Sequence, residues 1–206
     1  MKKLLLSLLF AGTSLVTFAQ LPTFGIKGGA NFAKFHASID GISGSGSSGS
    51  LTTFNVGAFV DFKFGNVSLQ PALNFTGKGG SSSTAIDDES VSSGKVRLYY
   101  LQVPVNLVYH VPAVVGDFYF GAGPYLAMGI SGKAKDDQGN SGDIKFGSGE
   151  DDLKRTDAGV NAIVGFKFKT GFLINANYDW GLTNVTNLSG VKLTNRVFGV
   201  SIGYAF

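Results

Sequence analysis

From Thr23 onward, apolar and polar residues alternate in runs of ten to fifteen that break at clusters of Gly, Ser, Asn and Asp. Alternation with period two marks an extended strand, whose successive side chains point to opposite faces. Eight strands are expected, over 23–35, 51–64, 66–78, 95–110, 117–130, 154–168, 171–182 and 192–206. Each exceeds the usual globular strand of about 5–6 residues and is long enough to cross a bilayer at a tilt. The breaks alternate in length. Long ones cover 36–50, 79–94, 131–153 and 183–191, and short ones fall at Gly65-Asn66, 111–116 and Lys169-Thr170-Gly171. This predicts an all-β fold, an eight-stranded antiparallel up-and-down transmembrane β-barrel. Its turns would be periplasmic, its loops extracellular and both termini periplasmic.

Alternation alone would also fit a soluble barrel with an apolar lumen, so the kind of apolar residue has to separate the two. Phe54, Val56, Ala58, Val60, Phe62 and Phe64 share one face of the second strand. Ala158, Val160, Ala162, Val164, Phe166 and Phe168 share one face of the sixth. Both faces are aliphatic at mid-strand and aromatic at strand ends. Phe24, Tyr109, Phe118, Phe120, Phe172, Tyr204 and Phe206 gather at the same end, and Phe32, Phe75, Tyr99, Tyr178 and Trp180 at the other. Two aromatic girdles flanking an aliphatic belt imply a bilayer, because aromatic rings favour the headgroup level. The opposite faces carry Lys27, Asn31, Asn55, Asp61, Lys63, Gln70, Asn74, Lys78, Gln102, Asn106, Asp157, Asn161, Lys167, Asn175, Asn177 and Asp179. These would point inward and fill a narrow barrel as a hydrogen-bonded plug. Open edges in hydrocarbon leave backbone groups unpaired, so the first and last strands must meet.

The first 19 residues read as a cleaved signal peptide. Lys2 and Lys3 form a basic start, Leu4 to Phe10 an apolar core, and Thr17-Phe18-Ala19 a small-x-small cleavage site before Gln20, leaving 20–206 as the barrel. Its removal takes two lysines and no acid, so 15 bases face 14 acids in the mature chain. The basic balance is thus mostly the leader's, and a nucleic-acid partner loses its support. Absence of cysteine excludes disulfides, thiolate chemistry and a lipoprotein anchor. Gly 30 and Phe 18 beside 15% charged residues suit short turns and strands rather than long helices.

Several segments resemble motifs of the Bacteroidota outer membrane protein beta-barrel domain family, related to PorT-like proteins. Leu69-Gln70-Pro71-Ala72-Leu73 is similar to its "LQPEL", Tyr100-Leu101-Gln102-Val103-Pro104 to "YLEIP", Gly123-Pro124-Tyr125 to "GPY", and Tyr178 to Asn184 to "YxxGLTN". The resemblance covers nearly the whole mature chain and implies a porin-family small barrel. It also places Pro71, Pro104 and Pro124 inside strands, where bulges or kinks are expected. The family's lumen Glu residues fall on Ala72 and Gln102 and a common Arg on Asn177, which suggests that neutral hydrogen bonds have replaced an internal ion-pair cluster. The last strand, from Phe198 to Phe206, resembles the C-terminal signal read by the outer-membrane assembly machinery.

No catalytic set or cofactor motif emerges. His36 and His110 fall at opposite ends of the barrel, and His36 has only the serines and Asp40 that any polar loop offers. Gly77-Lys78-Gly79-Gly80-Ser81 lacks the order of a phosphate loop and reads as a strand end and flexible loop. Ten of the 14 acids lie in the long loops. Of these, Asp136, Asp137, Asp151 and Asp152 are weak candidates to hold divalent cations shared with lipopolysaccharide phosphates; solvated loop charge is the commoner meaning. The four N-x-[ST] matches, such as Asn184-Val185-Thr186, are read as chance. The expected function is non-enzymatic, structural or surface-interacting, with outer-membrane lipid, lipopolysaccharide and an unknown extracellular partner. A lipid-modifying enzyme and a small diffusion pore are the alternatives.

Overall fold

A computed structural model describes residues 21–39, 45–86, 90–136, 138–147, 149, 152–188 and 190–206, so the expected signal peptide lies outside the described residues. Ten strands follow one another: β1 (Thr23–Ile39), β2 (Ser45–Ser47), β3 (Leu51–Phe64), β4 (Val67–Ile86), β5 (Ser90–Ala113), β6 (Gly116–Asp136), β7 (Ser141–Ile144), β8 (Thr156–Phe168), β9 (Phe172–Gly181) and β10 (Val191–Ala205). Eight of them form the wall in the order β1-β3-β4-β5-β6-β8-β9-β10, each antiparallel to the next. β10 returns to β1 in unbroken register from Gly25↔Ala205 to Ile39↔Val191. That seam removes the edges an open sheet would leave, making a closed eight-stranded antiparallel barrel.

At one end the connections are tight. Gly65 (φ 63°) and Gly171 (φ 91°) occupy left-handed conformations that turns demand and side chains resist. The third turn is only Val114-Val115; β5 and β6 claim the rest of the predicted 111–116 break. At the other end the strands outrun the sequence reading. β4 and β5 stay paired out to Ile86↔Ser90, so the supposed flexible loop at 77–81 is regular ladder, and most of 79–94 with it. Gly- and Ser-rich segments carry little β-propensity of their own, and backbone pairing with β5 overrides it. β2 folds back on β1 and β7 on β6, placing short strands inside two of the long breaks.

The prolines do not shift the register as expected. Pro71↔Val105 and Asn74↔Gln102 share one β4–β5 register, and Pro104↔Tyr125 and Leu107↔Ala122 share one β5–β6 register. The lost donor interrupts pairing for two positions, and neighbouring pairs restore it in phase. The bulge falls instead at Tyr99/Tyr100, where Ile130 of β6 is the extra residue.

Three small apolar clusters divide the interior. Phe35, Leu98, Tyr100, Tyr125 and Ala127 fill the loop end with Phe146 and Leu153 of the loop above them. Phe59, Ala72, Leu173 and Ala205 form a second cluster, and Val108, Tyr119 and Ile163 a third, both nearer the turns. The lumen is therefore layered, not uniformly polar as the alternation suggested.

Candidate functional site

Between those clusters, inward positions of seven strands meet in hydrogen-bonded groups. Asp179 accepts from Gln102 Nε2 at 2.9 Å and from Asn161 Nδ2 at 2.5 Å, while Asn106 Nδ2 donates to Asn161 Oδ1 at 2.7 Å. On the facing wall Asn55 donates to Asn31 at 2.6 Å, Asn31 to Thr76 Oγ1 at 2.8 Å, and Ser201 Oγ to Asn55 Oδ1 at 3.0 Å. Lys27, Asn74 and Asn177 line the gap between the groups together with Gln102 and Asp179. The space left is about 10 Å³, roughly what one water occupies. Gln70 is also buried, across the β4–β5 ladder from Asn106.

Towards the loops, Asp157 is the second centre. Lys78 Nζ lies 2.9 Å from its Oδ2, with both side chains 0% exposed. Asn195 Nδ2 (3.0 Å) and Tyr125 OH (3.4 Å) also donate to that oxygen, and Thr183 Oγ1 donates to the other at 3.0 Å. The ammonium stands over the rings of Tyr125 (4.3 Å) and Tyr100 (5.3 Å). A buried charge survives only when paired and hydrogen-bonded, and this carboxylate satisfies both conditions. The expectation that neutral hydrogen bonds replace an ion-pair cluster concerned Ala72, Gln102 and Asn177, and charge is kept elsewhere in the lumen. Asp157–Lys78 is a desolvated ion pair and Asp179 a buried acid. Ala72 belongs to an apolar cluster, apart from the gap shared by Gln102 and Asn177.

The Tyr178–Asn184 segment ties wall to loops. Asp179 and Thr183 serve the two centres, Asn184 Oδ1 accepts from the backbone N–H of Thr186 and Leu193, and Asn187 Nδ2 donates to the carbonyls of Gly147, Gly149 and Asp152. Asn184 and Asn187, matched to glycosylation patterns, are thus occupied internally.

At the turn end lies a constellation the sequence reading missed. His110 Nε2 is 2.8 Å from Ser68 Oγ and 3.7 Å from Asp61 Oδ2, all buried in the lumen. A catalytic triad needs serine and carboxylate on opposite ring nitrogens, whereas here both approach the same one. The three share inward parity on β3, β4 and β5, the signal that could have found them. Nearby, Lys63 pairs with Asp117 at 3.4 Å. His36 lies at the other end, 3.3 Å from Ser47 Oγ.

The outer wall is the inverse of the lumen. Its outward positions from Phe24 to Phe32, Phe54 to Phe64, Leu101 to Val111 and Phe118 to Ile130 carry no charged side chain, and Ile26, Leu107, Leu126, Val164 and Ile202 are each more than half exposed. Aromatic rings touch in two bands. Near the turns Tyr109 meets Phe120, Phe118 meets Phe166, Phe168 meets Phe172 and Tyr204 meets Phe206. Phe24, Phe62 and Phe64 stand at the same level, where β3 ends and β1 begins. Near the loops Phe54, Phe75 and Tyr99 form one group and Phe32 and Phe198 another, with Tyr178 and Trp180 on β9 beside them.

The loop acids among the described residues are not gathered. Asp136 accepts from Asn140 N and Nδ2, Asp152 accepts from Gly149 N, and each caps its own turn. Asp137 and Asp151 lie outside the described residues. No group of three or more metal-ligating acids or histidines occurs among the described residues.

No curated protein matches the chain. Among solved structures it is similar to Ail, the attachment invasion locus protein of Yersinia pestis, at 15% identity over 91% of this chain and 100% of that one, with a TM-score of 0.43. A second structure of Ail, in complex with the heparin analogue sucrose octasulfate, gives 15% identity over 89% and 99%, with a TM-score of 0.39. Neisserial surface protein A is 16% identical over 91% and 100%, with a TM-score of 0.49. The family model described as "Outer membrane protein beta-barrel domain" matches residues 18–187, most of the chain. With a sealed seam, an uncharged belt around the outer wall and that match, the chain belongs to the outer membrane protein beta-barrel domain family and is an integral protein of the outer membrane.

Proposed function

We propose that this chain is a non-enzymatic, non-conducting barrel of the PorT-like, Bacteroidota type that braces the outer membrane and presents its loops to partners outside. In this reading residues 1–19 are the cleaved leader, both termini are periplasmic, the aromatic bands sit at the two headgroup levels, and the strand ending in Phe206 is recognised by the assembly machinery. One observation carries the proposal: apolar clusters and two buried acidic centres fill the lumen and leave about 10 Å³ at its middle. Such filling counts against the pore alternative. Planar-bilayer recording of the purified barrel tests this: silence is expected, and steady ion-selective openings would overturn it. The enzymatic alternative is tested by comparing lipid A from cells with and without the protein. An unchanged acyl pattern is expected.

A further inference from the structure

Just above the loop-end aromatic band the outer wall changes character. On β5 the next outward residues after Tyr99 are Arg97 and Lys95, and on β6 the residues beyond the bulge at Ile130 put Lys133 and Lys135 outward. The register sets Arg97 directly opposite Lys133 and Lys95 opposite Lys135. Like charges facing each other across a ladder destabilise it, so two such pairs stacked on one face call for an anion from outside the strands. Asp143 of β7 stands opposite Lys133 and offsets only part of the charge. The pattern recurs across the barrel. Phe32 pairs with Phe198, and the next outward step sets Lys34 opposite Arg196. At the turn end the outward wall carries aromatic residues and no charge, since Lys63, Asp117 and Lys167 all sit on inward positions. The cationic tier therefore exists on one side of the belt only.

We propose that Arg97 and Lys133, supported by Lys95 and Lys135, form a site on the outer wall for the phosphate groups of an outer-leaflet phosphoglycolipid of the lipid A class. The inference rests on the membrane reading above, with the loop end outside. Height selects this ligand. The tier begins one outward step, about 7 Å, beyond the aromatic band, where the phosphates of a lipid lie whose acyl chains cover Leu101, Met128 and Ile130. A guanidinium and an amine side by side suit phosphate oxygens, the first as a fork and the second as a point charge.

The test uses the full mature chain, refolded in phosphatidylcholine bilayers doped with diphosphoryl lipid A and then extracted in mild detergent for native mass spectrometry. Wild type should retain lipid A. The R97Q/K133Q variant should retain about tenfold less, while K169Q, the loss of one charge in a turn at the opposite end, should match wild type. Equal retention by R97Q/K133Q would overturn the proposal, as would equal retention of fully dephosphorylated lipid A. So would a soluble polysulfated sugar whose binding falls in R97Q/K133Q while lipid A retention does not, an outcome that assigns the tier to an extracellular glycan. Heat-modifiable migration and protease protection in the same vesicles report insertion separately. A wild type that fails to insert refutes the membrane reading together with the site, whereas insertion with unaltered retention refutes the site alone.

Discussion

Asp157 shows what one inward residue can hold together. Four donors converge on it, from Lys78, Tyr125, Thr183 and Asn195. Replacing Asp157 with Ala leaves Lys78 charged in a dry interior and should cost about 3–5 kcal/mol, whereas K78M/D157L should recover most of that loss. Urea titration of the folded barrel in vesicles measures both, and a double variant as unstable as the single would refute the account. Gly123 makes a different demand, because a Cβ there would overlap the Val105 carbonyl. G123A should destabilise by about 1–3 kcal/mol in the same titration. Most of the lumen was legible residue by residue, since Asp157, Asn161 and Gln102 sit at polar positions of clean alternation. Tyr100 was not. It lies in the apolar triplet Tyr99-Tyr100-Leu101, where neither face announces itself, and only pairing with β6 decides that Tyr100 turns in.

Strand number, order and closure were readable because long alternating runs with short and long breaks admit few arrangements. Strand ends at the loops were not, because the Gly and Ser of β4 near Gly79 and Ser82 have weak preferences and follow their neighbour β5. The prolines misled for a related reason: a missing donor marks where a ladder is weak, and the flanking pairs decide whether the register slips. Two variants test the elements. Val164 is 56% exposed at mid-strand on β8. V164R should be nearly silent in a water-soluble protein but cost about 2–4 kcal/mol where that wall meets hydrocarbon, as equilibrium folding into vesicles would reveal. Val200 pairs with both Ala30 and Ala176, so V200P removes a donor at the seam and should abolish heat-modifiable migration.

Taken whole, the molecule is a cylinder turned inside out relative to a soluble protein, with its ion pairs at the axis and its bare Leu, Ile and Val outside. It is also polarised along its length, tight at one rim with no outward charge on its wall, cationic and extended at the other. Ten residues of β4 run from Gly77, opposite Tyr99, to Ile86, a span of about 30 Å.

That polarity survives because β6 carries a spare residue. Below the bulge the even-numbered residues of β6 look outward, and above it the odd-numbered ones do. Excising Ile130 would splice inward Gly129 to outward Ser131 and leave a plain ladder, with Lys133 and Lys135 still facing Arg97 and Lys95. The rim would therefore tolerate a one-codon gap at this spot, whereas the same excision in a strand with no spare residue would turn every side chain beyond it to the other face.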